Sequence, residues 1–333
     1  MHIAVVILNW NGRHMLEQFL PSVVANTTGD SEVVIADNGS SDDSVDFLQT
    51  HYPGLRIIRL EKNYGFAEGY NRALSQVEAD LFVLLNDDVE VSPRWIEPVV
   101  DHLRQSPRTA VCQPKLLMHA QRNTFEYAGG AGGFIDRLGY PFCRGRLFNT
   151  VEKDHGQYDD SREIFWASGA AMFVRADVWH ELGGLDGDFF AHMEEIDFCW
   201  RAKNRGYQVD YCPASTVYHV GGGTLPKTNP HKTFLNFRNN LCMLYKNLPA
   251  GSLHATMALR MLLDWAAAFK FLAARQNGDF RAVFRARREY RRSKPALRQK
   301  RAAIRPQKVS QIYPGLIFAD YYLRHKRHFG DLR

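Results

Sequence analysis

Residues 1–90 alternate short apolar runs with longer amphipathic segments, and this alternation restricts the fold more than any other feature of the sequence. Four runs rich in Val, Ile and Leu are predicted to be buried strands: 3–8, 33–36, 57–60 and 81–85. The segments between them carry apolar residues at helical spacing: 15–25, 44–51 and 67–77. Strand–helix alternation of this kind predicts right-handed βαβ units, and therefore an α/β parallel sheet with helices on both faces.

Polar residues follow all four predicted strands at the point where each strand ends. The four turns are rich in Asn, Asp, Gly and Ser: NWNG at 9–12, DNGSSD at 37–42, NYGF at 63–66 and NDD at 86–88. Ligands of parallel α/β sheets bind beyond the carboxyl ends of the strands, so these turns are where function is expected. Ordinary turn chemistry explains any one of them. Four turns at one edge, two of them acidic, favour a binding site.

Several common classes of protein are excluded by what these turns lack. The first turn has no G-x-G-x-x-G dinucleotide fingerprint, and the chain contains neither a G-x-x-x-x-G-K-[ST] phosphate loop nor a G-x-S-x-G nucleophile elbow. Five cysteines without a C-x-x-C pair argue against a disulfide framework or a zinc knuckle, and favour a reducing compartment. No leader peptide and no transmembrane helix are predicted.

The turn after the fourth strand is a candidate metal site. Asn86, Asp87 and Asp88 end an entirely apolar run, and oxygen ligands of this kind suit Mg²⁺ or Mn²⁺. Such a cation would neutralise a diphosphate and stabilise it as a leaving group. The alternative is a solvated acidic turn ahead of the helix at Pro93, where acids favour a helix N-terminus. The residues alone leave both interpretations open.

Six segments together resemble the inverting nucleotide-sugar glycosyltransferases of family 2, which have the GT-A fold. They are VVILNWNG at 5–12, IADNGSSDD at 35–43, NYGFAEGYN at 63–71, LLNDDV at 84–89, WASGAAMFVR at 166–175 and FFAHMEEIDFCWR at 189–201. Within the family the chain most resembles the bacterial rhamnosyltransferase-like enzymes of surface polysaccharide synthesis. The resemblance implies transfer of a sugar, with rhamnose as the example, from a nucleoside-diphosphate donor to a hydroxyl of a growing, lipid-linked glycan.

The resemblance also implies roles for the residues at the strand ends. Asp37 would contact the nucleotide base, with Asn38 beside it. Asp88 would bind a divalent cation, Mn²⁺ or Mg²⁺. His219 would complete the metal site, and a structural hydrogen-bonding role for this lone His is the alternative. Asn86 stands where the family has Asp, and would touch the ribose or a metal-bound water. The remaining nucleotide-binding residues are expected to be Asn9, Asn11, Asn63, Gly65, Gly69, Asn71 and Asp87.

A second acidic cluster, Glu194-Glu195-Ile196-Asp197, opens a predicted helix and is the candidate catalytic base. Acids also favour a helix N-terminus, so a purely structural role is the alternative. Inverting transfer needs a base on the acceptor hydroxyl, and acidic neighbours that raise the pKa of a carboxylate suit it to that task. The resemblance places the base at Glu195, with Glu194 as second choice. Asp197 precedes Arg201 by four residues, a spacing typical of a structural ion pair.

The resemblance makes the turn at 166–170 the floor of the acceptor and donor-sugar site, and a tight turn before a strand is the alternative. The resemblance makes Trp166 an aromatic platform for a sugar ring. The other predicted sugar contacts are Ser168, Gly169 and Asp197. A glycine-rich loop at 221–224, near Lys227 and Arg238, is expected to close over the diphosphate. Residues 119–163 resemble an insertion that shapes the choice of acceptor.

The net charge of +6 conceals two regions of opposite charge. Residues 1–248 contain 23 Lys+Arg and 31 Asp+Glu. Residues 249–333 contain 19 Lys+Arg and 5 Asp+Glu. We therefore place a boundary near Pro249, between a GT-A catalytic domain at 1–248 and a helical, basic region at 249–333. This division predicts two parts with different tasks.

Residues 255–274 form a predicted amphipathic helix, and 13 Lys+Arg follow in residues 275–308. This pattern favours a peripheral site on an anionic membrane, at the inner face of the cytoplasmic membrane. Packing on the catalytic domain or on a second copy in a homo-oligomer is the alternative. No nucleic-acid partner is expected, because few aromatic residues accompany the basic run.

Three other functions compete with a glycosyltransferase. A sugar-1-phosphate nucleotidyltransferase should carry G-x-G-T-R-L after the first strand, where this chain has NWNG. A catalytically silent nucleotide-sugar-binding scaffold would keep Asp37 and Asp88 but would not need Glu195. An adaptor for membrane or RNA would act through the basic region alone.

Overall fold

A computed structural model of the chain describes residues 1–221 and 229–332. Its strands are β1 (Ile3–Asn9), β2 (Ser31–Asp37), β3 (Arg56–Arg59), β4 (Leu81–Leu85), β5 (Val89–Val91), β6 (Thr109–Met118), β7 (Gly133–Asp136), β8 (Pro141–Cys143), β9 (Arg146–Leu147), β10 (Thr150–Val151), β11 (Arg162–Glu163), β12 (Ala171–Arg175), β13 (Gln208–His219) and β14 (Ile312–Tyr313). Its helices are α1 (Arg13–Asn26), α2 (Ser44–His51), α3 (Gly65–Leu74), α4 (Glu97–Gln105), α5 (Ala176–Leu182), α6 (Glu194–Asn204), α7 (Pro230–Asn247), α8 (Ala250–Ala273), α9 (Asn277–Ile304) and α10 (Ile317–Tyr322).

The central sheet has the strand order β11-β13-β6-β12-β4-β1-β2-β3, and β5 pairs with β13. Strands β1 to β4 are parallel, so the βαβ units expected from the first 90 residues are present. Strand β12 is antiparallel to both β4 and β6. The α/β fold class and the C-terminal helical region are confirmed, and the sheet is mixed where the sequence predicted a parallel one.

Apolar side chains cover both faces of this sheet because strands buried on two sides send alternate residues to opposite faces. In β1, Ala4 and Val6 belong to one apolar cluster, while Val5 and Ile7 belong to the other. The five cysteines are all buried and unbridged, in agreement with the absence of a cysteine framework in the sequence. The helices therefore pack against the sheet without covalent support.

Strand register aligns the polar turns at one edge of the sheet. Asn9 pairs with Asp37 at the ends of β1 and β2, and Leu85 pairs with Ile7. Ala171, the first residue of β12, pairs with Leu85 from the other side. The turns after β1, β2 and β4 and the turn before β12 consequently lie next to one another.

The predicted insertion at 119–163 contains most of a second sheet, with the strand order β10-β9-β8-β7-β14. Strands β7 to β10 pair antiparallel, whereas β14 comes from the C-terminal region and adds in parallel to β7. The chain after Pro249 thus returns to the first part of the molecule. The two-domain division at this point stays a prediction. Of the described helices, none combines the length and apolarity that crossing a membrane requires.

A buried network of charges joins α6 to α7. Asp197, completely buried, accepts hydrogen bonds from Arg201 Nε at 2.9 Å, from Lys246 Nζ at 2.8 Å and from Asn247 Nδ2 at 2.8 Å. The pair with Arg201, expected from the four-residue spacing, is therefore present. Lys246 also bonds Asp186, which in turn accepts from Lys300 of α9 at 2.5 Å. The network connects α6, α7 and α9.

Removal of the Asp197 carboxylate should destabilise the fold strongly, because it would leave buried cations without their acceptor. We expect Asp197→Ala to lower the free energy of unfolding by about 3–5 kcal/mol, measured by urea unfolding followed by circular dichroism. Asp101→Ala removes an exposed ion pair with Arg104 and is the matched control, with an expected loss below about 1 kcal/mol. Equal losses in the two variants would contradict the proposed importance of the network.

Candidate active site

The turns after β1 and β2 are joined by side-chain hydrogen bonds. Asn9 Nδ2 donates to Asp37 Oδ1 at 3.2 Å, and Asp37 Oδ2 accepts from the backbone of Ser40 at 3.2 Å. Asn11 Oδ1 accepts from the backbone N–H of Ser41 at 2.7 Å. Asn9 and Asp37 are both buried, and Asn9 Oδ1 has no protein partner. The turn therefore holds Asp37 rigidly, with an unpaired acceptor beside it.

Asn38 connects the second turn to the third. Its Nδ2 donates to Asn63 Oδ1 at 3.2 Å and to the Gly65 carbonyl at 3.0 Å, while its Oδ1 accepts from Tyr64 N at 3.0 Å. Gly65 has φ +78°, and a Cβ at this position would collide with the ring and carbonyl of Phe190. Only glycine fits both the left-handed backbone and the close approach.

Two residues expected to bind nucleotide lie on α3 in structural positions. Gly69 packs against Leu8 of β1 and Asn38 of the turn after β2. Asn71 donates to the Leu185 carbonyl at 2.8 Å and accepts from Leu185 N at 2.9 Å. Both ends of the Asn71 amide are therefore used to join α3 to the loop before α6.

Asp88 and His219 meet at the end of β4, as the predicted metal site requires. His219 Nε2 lies 3.1 Å from Asp88 Oδ1 and 3.4 Å from Asn86 Nδ2. On the other side of the ring, Nδ1 lies 3.4 Å from Glu126 Oε1. The side chains of Asp88, His219 and Glu126 are each less than 10% exposed. Glu126 was not predicted, because a lone Glu within an insertion forms no recognisable pattern.

The pKa values of the two carboxylates in this turn shift in opposite directions. Burial would raise the pKa of Asp88, but hydrogen bonding and charge attraction from His219 outweigh it and lower the pKa. Burial likewise opposes protonation of His219, but its contacts with Asp88 and Glu126 raise the pKa to about 10. Burial, together with the charge of Asp88, raises the pKa of Asp87 to about 7. Asp88 is thus the carboxylate that stays ionised.

This donor set fits a divalent cation. Asp88 Oδ1 and His219 Nε2, 3.1 Å apart, are an oxygen and a nitrogen donor of the kinds that would bind Mn²⁺ once His219 has released its Nε2 proton. A carboxylate on the far nitrogen of a ligating His, here Glu126, is the usual support for such a ligand. Within residues 1–221 and 229–332, no group of three or more His, Cys, Asp or Glu side chains could hold a metal. Two protein ligands would leave the other positions to phosphate and water.

The turn at 166–170 lies between the two acidic clusters. The Ala170 carbonyl accepts from Asn86 N at 3.0 Å, and Ala167 N donates to Cys199 Sγ of α6 at 3.5 Å. Ser168 is buried, and its backbone N–H donates a hydrogen bond to Gln113 Oε1 at 2.8 Å. The backbone of Gly169 lies close to the ring of Phe66. The turn is therefore a rigid connection between Asn86 and the helix that carries Glu195.

Trp166 is buried and does not form the exposed platform expected from the sequence. Its side chain is 4% exposed, and Nε1 donates to the Phe134 carbonyl at 3.0 Å. The backbone of Gly133 lies against the indole ring. This corrects the expectation for Trp166, because a ring packed into the core offers no open face to a sugar. Asp197, fully engaged by Arg201, Lys246 and Asn247, has no free oxygen for a sugar either.

The loop before α6 has an unusual backbone. Phe190, His192 and Met193 have φ of 65°, 70° and 74°, values that cost non-glycine residues energy. The amide of Asn239 donates to the carbonyls of Phe189, Ala191 and His192 at 3.0, 2.9 and 2.7 Å. Asn239 was not predicted, since a single Asn in a helix carries no local signal of such a contact. It fixes the start of α6.

Glu194 and Glu195 begin α6 with carboxylate oxygens that have no protein partner. Oε2 of both residues is buried and unpaired. Burial, and then the charge of Glu195, raises the pKa of Glu194 well above its usual range. Burial raises the pKa of Glu195 to about 7. A carboxylate with this pKa can both accept and release a proton near neutral pH.

The predicted lid lies largely outside the described residues, which omit 222–228. At its start, Gly221 N donates to Asp88 Oδ2 at 3.2 Å. Beyond it, Arg238 Nη2 donates to the carbonyls of Asp188 and Phe189, each at 2.9 Å. Arg238 therefore supports the loop before α6, a contact different from the expected one with diphosphate.

Family models match two overlapping parts of the chain. Residues 4–154 match "Glycosyl transferase family 2", and residues 81–229 match "Glycosyl transferase family group 2". Among curated proteins, the chain is similar to N-acetylglucosaminyl-diphospho-decaprenol L-rhamnosyltransferase of Mycobacterium tuberculosis, with 26% identity over 65% of this chain and 75% of the relative. It is 22% identical to the low-salt glycan biosynthesis hexosyltransferase Agl10 of Haloferax volcanii, over 71% of this chain and 73% of that protein.

Solved structures share the fold. GalNAc-T7 with UDP, GalNAc and Mn²⁺ has a TM-score of 0.60 and 15% identity, over 75% of this chain and 48% of that one. TarS 1–349 of S. aureus with UDP-GlcNAc has a TM-score of 0.57 and 13% identity, over 91% of this chain and 88% of that one. Residues 4–229 therefore match glycosyltransferase family 2 models, and the chain has the GT-A fold and resembles bacterial rhamnosyltransferases.

Proposed function

We propose that the chain is a metal-dependent, inverting glycosyltransferase that moves a sugar from a nucleoside-diphosphate donor to a hydroxyl of a growing surface glycan. The observation that carries this proposal is the pair of unlike carboxylate sites beside the turn at 166–170. Asp88 is kept ionised by His219, whereas Glu195 has an unpaired oxygen and a pKa of about 7. Environments that separate two acids in this way support separate roles in one reaction.

Glu195 is the proposed base. Its carboxylate takes the proton of the acceptor hydroxyl as the oxygen of that hydroxyl bonds to the anomeric carbon. The bond from that carbon to the diphosphate breaks on the opposite face, which inverts the configuration. Asp37, held by Asn9 and Ser40, contacts the base of the nucleotide.

Asp88 and His219 are the residues that would hold a divalent cation, with Glu126 fixing the ring of His219. Mn²⁺ or Mg²⁺ is proposed, and the GalNAc-T7 structure with UDP and Mn²⁺ supports the choice. When bound, such a cation supplies positive charge that stabilises a diphosphate leaving group.

The acceptor is proposed to be lipid-linked, because the Mycobacterium tuberculosis relative is named for a diphospho-decaprenol substrate. Rhamnose is the sugar that the same relative suggests. On this proposal the region 1–248 performs the reaction and the region 249–333 contacts the inner face of the cytoplasmic membrane.

Glu195→Gln should fold and bind donor as the wild type does, but it should lose transfer by at least about 1000-fold, since the amide cannot accept the proton. Product formation is measured with a radiolabelled nucleotide sugar, and donor binding by calorimetry. Glu194→Gln is the matched variant at the neighbouring position. Retained activity in Glu195→Gln with loss in Glu194→Gln would move the base to Glu194.

The rate should depend on pH through Glu195. The raised pKa of about 7 means that Glu195 is mostly protonated, and so inactive as a base, below that pH. We expect kcat/KM to fall about tenfold per pH unit below pH 6 and to level off above pH 8. A flat profile between pH 5.5 and 8 would exclude Glu195, or the Glu194–Glu195 pair, as the base.

Removal of metal should abolish transfer. We expect EDTA to reduce activity to background and added Mn²⁺ to restore it, because the diphosphate charge is otherwise unbalanced. Asp88→Asn should raise the Mn²⁺ concentration for half-maximal activity by roughly tenfold or more, whereas Asp101→Asn should leave it unchanged. Full activity in EDTA would disprove a metal role for Asp88 and His219.

A further inference from the structure

Helix α8 buries polar residues and exposes apolar ones, the reverse of an ordinary surface helix. Its buried stripe includes three polar residues, Thr256, Arg260 and Asp264. Its exposed face carries large apolar side chains that are between 39% and 58% exposed: Leu259, Leu262, Trp265, Phe269 and Leu272. Exposed apolar residues gathered on one helix face mark an interaction site more often than isolated ones do.

The buried polar residues hold α8 in this orientation. Asp264 accepts from Arg287 of α9 at 2.5 Å and from Arg260 at 3.3 Å. Arg260 also donates to the Leu138 carbonyl at 2.9 Å and to Asn240 Oδ1 at 2.6 Å. Rotating α8 to bury its apolar face would separate these groups from their partners, at a high cost for buried charges. The apolar face is therefore fixed outward.

The exposed surface continues from α8 onto α9. The ring of Phe269 lies 6.1 Å from that of Phe280, which lies 5.0 Å from the exposed Phe284. An open groove between the two helices is lined by two aromatic side chains and four cations: Trp265, Phe284, Arg287, Arg288, Arg291 and Arg292. Arg288 and Arg291 are exposed and form no ion pair with any residue in the described parts of the chain.

We propose that this docking face, the exposed apolar side chains of α8 together with Arg288 and Arg291 of α9, binds the surface of an anionic phospholipid bilayer. The apolar residues enter the boundary of the acyl chains, while the guanidinium groups bind lipid phosphates. Charge complementarity favours lipid over a second copy, since a two-fold interface would bring the arginines of both copies together. On this proposal α8 lies in the plane of the membrane, with its apolar face toward the acyl chains.

The buried side of α8, opposite the docking face, contacts the candidate active site through Asn240. This residue accepts from Arg260 of α8, and its Nδ2 lies 3.9 Å from Met193 Sδ, directly before Glu194. Two side-chain contacts, Arg260 with Asn240 and Asn240 with Met193, therefore connect α8 to the start of α6. This relation, and the placement of the docking face at the cytoplasmic membrane, rest on the proposed function. Binding of the docking face to an anionic bilayer is measured independently of sugar transfer.

Vesicle flotation of the full chain tests the docking face. Wild type should float with vesicles of phosphatidylglycerol and phosphatidylcholine, and at least tenfold less with phosphatidylcholine alone. Leu262→Asp/Phe269→Asp should abolish flotation, while the matched Leu262→Met/Phe269→Leu should retain it. Arg288→Glu/Arg291→Glu should weaken binding by roughly thirtyfold or more. Arg94→Glu/Arg104→Glu makes the same change of net charge elsewhere and should bind as the wild type does.

Three outcomes would overturn the proposal. They are equal flotation with neutral vesicles, unchanged flotation of both disruptive variants, or a wild-type dimer in light scattering that Leu262→Asp/Phe269→Asp converts to a monomer. Circular dichroism confirms that each variant is folded. Sugar transfer to a short, water-soluble acceptor separates the proposed glycosyltransferase function from the proposed docking face. Variants of the docking face should keep this transfer activity, because the acceptor needs no membrane. Vesicle binding without any transfer would instead refute the proposed function and leave the docking face standing.

Discussion

A buried network of opposite charges holds the candidate base in the molecule. Asp197 and Asp186 are nearly inaccessible, and Lys246 lies between them with about 1% of its side chain exposed. The network connects the first turn of α6 to α7 and, through Lys300, to α9. Burying charges is costly, and each carboxylate here is stabilised only while its partners remain in place. The position of Glu195 therefore depends on helices that follow the central sheet in the chain.

The edge of the sheet adds a second constraint. Asn9 joins the first turn to the second and Asn38 joins the second to the third, so the proposed nucleotide-binding end of the site is held in place by its own hydrogen bonds. Unequal environments then give chemically similar acids different properties, since His219 stabilises the ionised form of Asp88 and burial stabilises the neutral form of Glu195. Geometry and electrostatics thus separate the proposed metal ligand from the proposed base.

The C-terminal region uses its positive charge in two ways. Arg260, Arg287 and Lys300 are partners of buried acids or carbonyls and fasten α8 and α9 to the rest of the chain. Arg288 and Arg291 face solvent beside apolar side chains. The excess of basic residues after Pro249 is therefore partly structural, and the net charge of a region does not by itself measure the charge available to a partner.

The sequence by itself determined the strands and helices of the first 90 residues, the four polar turns, the family and the pair of Asp197 with Arg201, because apolar periodicity and short spacings act between near neighbours. Only the tertiary structure decided the antiparallel course of β12, the burial of Trp166, the contact of Glu126 with His219 and the inward polar side of α8. These features arise where distant segments pack together. A helix with two unlike faces can turn either one inward, and the buried partners Arg287 and Asn240 settle which.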